Sequence, residues 1–176
     1  MTKKTKSQWS KYIRYLEAYR KEKNRGALAI IRRSLGILPE LDVRTFPFIF
    51  PGIEIAELNK YQEQIAFMIA ALYALYNSGS ADIPPNEEPY WNLGDSFRVL
   101  SENDEKGSKS IEGRFIALLN THQDDLIQHL KKSVSLLKSR KIPINWVVLA
   151  EDIQYWEYSE RITQSRWAQS FYSSKI

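Results

Sequence analysis

Residues 55–76 read IAELNKYQEQIAFMIAALYALY. Leu58, Tyr61, Ile65, Met68, Ile69, Leu72 and Leu75 recur at steps of three and four, the period of a helix with one apolar stripe. No other run carries so continuous a stripe. It predicts a long core helix from near Ile55 to Tyr76, stopped by Ser78-Gly79-Ser80. Its unbroken apolar stretch, Ile65 to Tyr76, has 12 residues. A membrane span needs about 20, so the stripe is read as core and no membrane is expected as partner.

The same period extends to both sides. Toward the N-terminus, Trp9, Tyr12, Ile13, Leu16 and Tyr19 predict a helix from Gln8. Asn24 can cap a second helix and Gly36 can end it, with Ala27, Leu28, Ile30, Ile31 and Leu35 inside and Arg25, Arg32 and Arg33 on other faces. Residues 37–52 carry Pro39, Pro47, Pro51 and Gly52, which predicts a connector with at most one short helix, fixed to the core by Phe46, Phe48, Ile49 and Phe50.

Toward the C-terminus, Pro84, Pro85 and Pro89 mark a boundary. Beyond it the pattern predicts a short helix over 93–100 and a polar loop over 102–110. A helix capped by Ser110 follows, then one led by Asp124 and Asp125 and trailed by Lys138, Arg140 and Lys141. Asn145 can cap a helix reaching Trp156, and a last helix runs over 160–171. No segment alternates as a strand would. The reading is an all-α helical bundle of two small lobes packed together, 1–80 and 93–176, joined by a Pro-rich connector over 81–92.

Composition excludes several chemistries. The chain has 176 residues and no Cys, so it holds no disulfide scaffold, thiolate zinc site or cysteine nucleophile. Neither G-x-G-x-x-G nor a P-loop occurs, leaving nucleotide hydrolysis without a basis. His122 and His129 lack the company of thiolates or clustered carboxylates and are read as structural. Glu151, Asp152, Glu157 and Glu160 are read as spread over helix surfaces rather than converging on a metal. Trp146, Trp156 and Trp167 fall on apolar faces and are read as core. No catalytic residue, metal or cofactor is expected, and no secretory signal is read in the basic N-terminus.

Charge is more informative by distribution than by its total of +4. Residues 1–33 hold 11 Lys and Arg against 2 Glu, residues 34–105 hold 3 against 12 acids, and residues 106–176 hold 11 against 7. Basic zones separated by an acidic one are what a polyanion-binding protein carries. The pairs Arg32-Arg33 and Lys131-Lys132 cannot point into a core, because an unpaired buried charge costs too much. They must meet water or an anion.

Four segments, taken in order, then resemble a known family. They are NRGALAIIRRSLG (24–36), EGRFIALLNTHQDDLIQHLKKSVSLL (112–137), IPINWVVL (142–149) and RWAQSFY (166–172). The set looks like the CasB family, the small subunit of the type I-E CRISPR surveillance complex Cascade. The resemblance implies an all-helical, non-catalytic subunit of the cytoplasm, present in two copies beside the other Cascade proteins. There it would help hold the crRNA–target heteroduplex and the displaced DNA strand. The family's basic positions fall on Arg32, Arg33, Arg114, Lys131, Lys132 and Arg161. This chain departs from relatives in having Gln123 where they tend to show Arg, and Lys131-Lys132 where they tend to show an Arg pair. Lys lacks the planar fork of Arg, so that contact is expected to be looser and more purely electrostatic. A stand-alone helical DNA-binding regulator is the alternative from a different class.

Overall fold

The computed structural model describes residues 7–79 and 82–173. Among them are nine α-helices, three short 3₁₀ turns and no strand. The chain divides into two compact units, residues 1–80 and 81–176. None of the described helices is long and apolar enough to cross a membrane.

The first unit holds α1 (Gln8–Lys21), α2 (Arg25–Arg33), α3 (Phe46–Ile55) and α4 (Lys60–Tyr76). Asn24 caps α2 by accepting from the Ala27 N–H at 3.1 Å, while Gly36 closes a 3₁₀ turn that follows the helix. α4 is the core: Ile65, Phe67, Ile69, Leu72, Tyr73 and Tyr76 are buried, with Ala66, Ala70, Ala71 and Ala74 between them. Each large apolar side chain so buried contributes about 1.5–3 kcal/mol, and the alanines let α2 approach closely. The Tyr12 hydroxyl of α1 donates to the Ala66 carbonyl at 2.8 Å. A second tie joins Tyr73 of α4 to the Glu17 carboxylate of α1, which Arg20 also pairs at 2.9 Å.

Two expectations are corrected here. The helix read as running from Ile55 to Tyr76 is broken: α3 ends at Ile55, Glu57 takes a left-handed φ of 55°, and α4 starts afresh at Lys60. The cause is a capping box. The Asn59 side chain accepts from the Gln62 N–H at 3.0 Å, and Gln62 returns its side-chain oxygen to the Asn59 N–H at 2.9 Å. Residues 37–52, read as a connector with at most one short helix, give two 3₁₀ turns besides most of α3. Pro47 sits in the first turn of α3, where no intrahelical donor is needed, and Pro51 forgoes one bond inside it. Tyr15 of α1 donates to the Phe48 carbonyl at 2.8 Å and holds that helix down.

The turn before α3 is set by Asp42, which is buried. It accepts from the Arg44 N–H at 3.2 Å and pairs with the Arg44 guanidinium at 2.7 Å. The Arg44 hydrogen bonds hold its carboxyl below the usual range. A depressed carboxyl stabilises the fold above its unfolded pKa and loses that contribution as pH falls through the folded one. Asp42→Asn is therefore expected to melt lower than the parent at neutral pH. The gap should begin to narrow below about pH 4 and close only once the pH has fallen through the lowered folded value, where the parent carboxyl is protonated as well. Thermal melts across pH check this, and a gap independent of pH would contradict it.

The second unit holds α5 (Leu93–Glu102), α6 (Ser108–Leu119), α7 (Gln123–Ser139), α8 (Trp146–Ile153) and α9 (Ile162–Tyr172). The Pro-rich stretch is fastened within this unit: the Asn86 N–H donates to the Ile144 carbonyl at 3.0 Å and the Asn145 amide to the Glu88 carbonyl at 2.8 Å. Three helix ends differ from expectation. α6 begins at Ser108, not after a Ser110 cap, with Gly107 at the cap position and its N–H on Asp104 at 2.9 Å. α8 stops at Ile153, short of Trp156, and α9 starts at Ile162 after Arg161 takes a left-handed φ of 49°.

Trp146, Trp156 and Trp167 are buried, as read from their faces. Asp152 is not the surface carboxylate expected. It is buried, accepts from the Trp167 indole at 2.7 Å, and pairs with Arg166, pinning α8 to α9. Burial pushes its carboxyl above the usual range against both of those interactions.

Candidate nucleic-acid interface

Five of the eleven arginines are already spent on carboxylates. Arg20 pairs with Glu17, Arg44 with Asp42, Arg98 with Asp95, Arg140 with Asp104 and Arg166 with Asp152. Arg32, Arg33, Arg114, Lys131 and Lys132 differ: no carboxylate among the described residues pairs with any of them. Leaving a cation unpaired and wet keeps it ready for an anion from outside.

Arg32 and Arg33 occupy the last turn of α2, in the first unit, and both are exposed. Their place has a local reason, since cations offset the negative end of the helix dipole.

Arg114, Lys131 and Lys132 lie in the second unit and are brought together. Arg114 from α6 and Gln128, Lys131, Lys132, Ser135 and Leu136 from α7 line a concavity of about 470 Å³. Gln128, Lys132 and Ser135 share one face of α7 at steps of four and three. Lys131 and Leu136 are half-buried, so the lysine lays its stem along apolar surface and keeps its ammonium outside. No carboxylate lines the concavity. Three cations around one hollow with polar neutral groups between them suit phosphate oxygens and present nothing that reads a base. Gln128 and Ser135 were not singled out from sequence, although their spacing from Lys132 was the available signal.

The hollow is formed between α6 and α7, and the loop over 154–161 braces the junction of these two helices. His122 supplies no side-chain cap to α7. Instead the Gln123 N–H donates to the Glu157 carboxylate at 2.9 Å, satisfying an orphan donor of the first turn. The Trp156 indole donates to the Thr121 carbonyl at 2.9 Å, and Arg161 donates to the Leu119 carbonyl at the end of α6. So Arg161, grouped from sequence with the contact residues, has its guanidinium on the backbone and holds the α6–α7 junction. His129 is half-buried on α7, while His122 is exposed ahead of it. Among the described residues no three His, Asp or Glu side chains gather as a metal site.

The family model described as CRISPR-associated protein Cse2 matches residues 27–172. CRISPR-associated protein Cse2 of Thermus thermophilus is 28% identical over 148 residues, covering 84% of this chain and 79% of that one. Among solved structures, the Thermus thermophilus Cse2-family protein superposes with a TM-score of 0.76 at 27% identity, covering 96% and 99% of the two chains. M. ruber CasB gives 0.77 at 28% identity, covering 94% and 93%. A chain of a CRISPR RNA-guided surveillance complex shares the fold, with a TM-score of 0.70 at 21% identity over 91% and 92%. An all-helical chain whose family match spans both of its units, from the second helix to the last, belongs to the Cse2, or CasB, family of CRISPR-associated proteins.

Proposed function

We propose that the chain is a non-catalytic subunit of a CRISPR RNA-guided surveillance complex of type I-E. In this reading it binds nucleic-acid backbone in the cytoplasm and stabilises the crRNA–target heteroduplex and the displaced DNA strand. The observation that carries the reading is the convergence of Arg114, Lys131 and Lys132 on one hollow that no carboxylate lines. Membership of the Cse2 family and the shared fold with a surveillance-complex chain support the setting. Its partners are then crRNA, target DNA, the other proteins of the complex and a second copy of itself.

The energetics suit such a role. Exchanging a DNA duplex for a guide–target heteroduplex is nearly balanced, so a few added phosphate contacts shift it. A rigid helical scaffold supplies them without selecting a sequence.

The test uses Arg32→Ala with Arg33→Ala in the complex assembled with guide RNA. Both side chains are exposed, so the melting temperature should fall by no more than a few degrees, the loss of two cations at a helix C-terminus. Target DNA is expected to dissociate about tenfold faster, a loss of about 1.4 kcal/mol. Unchanged target affinity at physiological salt would overturn the assignment of this pair.

A further inference from the structure

The loop between α8 and α9 does more than brace the α6–α7 junction. Its Trp156 is buried, yet Tyr155 and Tyr158 on either side are 45% and 51% exposed. Their rings meet edge to face, with centroids 5.2 Å apart and planes at 81°. Neither hydroxyl bonds to a described residue. The backbone beneath is ordered by successive turns: Tyr155 N–H to Asp152, Tyr158 N–H to Tyr155 and Arg161 N–H to Tyr158, at 3.2, 3.2 and 2.9 Å. Two large rings are thus held in the open, with little ordering entropy left to lose on binding.

Their location matters. Glu157, between the two tyrosines, is bonded to Gln123 at the start of α7. Lys131 lies eight residues further along that helix, about 12 Å of rise. Along the α7 axis that rise corresponds to three or four nucleotides at about 3.4 Å each in a stacked strand. The Glu157 carboxylate is engaged by the α7 N-terminus, and Glu160 offsets Arg161 in formal charge, so the loop has little net attraction for phosphate. Exposed aromatic rings combined with a phosphate-binding groove are how single strands are held without sequence preference.

We propose that Tyr155 and Tyr158 form a stacking platform for unpaired nucleobases of a strand whose phosphates lie in the Arg114–Lys131–Lys132 hollow. The proposal rests on the backbone-binding reading above. It assigns the two tyrosines a contact that charge alone cannot make.

The test measures binding of the full-length chain to oligothymidylate and to an abasic strand of equal length. The parent should prefer oligothymidylate by about fivefold or more, the effect of one stacked base. Tyr155→Ala with Tyr158→Ala should abolish that preference and leave the salt dependence unchanged. Tyr155→Phe with Tyr158→Phe should keep it, because the ring faces remain. Equal affinity of the parent for both strands, or a preference that survives the double alanine change, would overturn the platform while leaving the phosphate hollow intact. Loss of salt-dependent binding to both strands would instead remove the backbone reading, and the platform with it.

Discussion

Gly94→Ala is expected to destabilise the second unit by about 3 kcal/mol or more, at the upper end of what overpacking costs. A Cβ at position 94 would lie 2.0 Å from the Trp167 carbonyl oxygen and 2.8 Å from its carbon. Both are backbone atoms of α9 and cannot rotate away. α5 would have to lift from α9, and several contacts depend on that approach. Trp167 is fully buried and its indole is bonded to Asp152. The Asn92 amide, at the head of α5, donates to the Ser170 hydroxyl of α9 at 2.8 Å. A fall in melting temperature of about 10 °C follows from the usual entropy of unfolding. Gly36→Ala is the control, since a Cβ there meets nothing within 4 Å. Calorimetry showing equal, small shifts for the two variants would contradict the α5–α9 packing.

Lys131→Glu with Lys132→Glu should have the largest effect on nucleic-acid binding. The change places two carboxylates in a hollow that otherwise retains Arg114, Gln128 and Ser135. Phosphate would then meet repulsion where it met attraction. Target affinity of the assembled complex is expected to fall about tenfold or more at physiological salt, equally for every target sequence. Binding of a panel of unrelated targets checks this. A loss confined to some sequences would mean that the hollow reads bases, because backbone contacts carry no sequence information. Lys132 is exposed and Lys131 half-buried, so the fold should tolerate the reversal.

The sequence was most legible where a local signal sufficed. The stripe of α1, the Asn24 and Asn145 caps and the acidic start of α7 are each written in neighbouring residues. It was least legible where two signals competed. The apolar period across 55–76 outweighed the Asn59–Gln62 capping box, which breaks that run in the folded protein. Prolines at 47 and 51 argued against α3, yet its first turn accepts Pro47 and Tyr15 anchors the Phe48 carbonyl from α1. That support comes from a residue 33 positions away.

The candidate site divided in the same way. That Lys131 and Lys132 reach solvent follows from the period of α7. That Arg114 joins them depends on how α6 packs on α7, a junction braced by Trp156, Glu157 and Arg161 from a loop far along the chain. Asp152 shows the converse: its residue type says surface, and only the Trp167 indole and Arg166 explain its burial.

The most direct measurement of backbone binding is the salt dependence of single-stranded DNA binding, for the parent and for Arg114→Ala with Lys131→Ala and Lys132→Ala. Each neutralised phosphate contributes about −0.7 to the slope of log affinity against log salt. Removing three contacts is therefore expected to flatten the slope by about 2, with the melting temperature unchanged. A variant that binds more weakly but keeps the parent slope, or one that binds as tightly as the parent, would contradict the assignment of this hollow to the phosphate backbone.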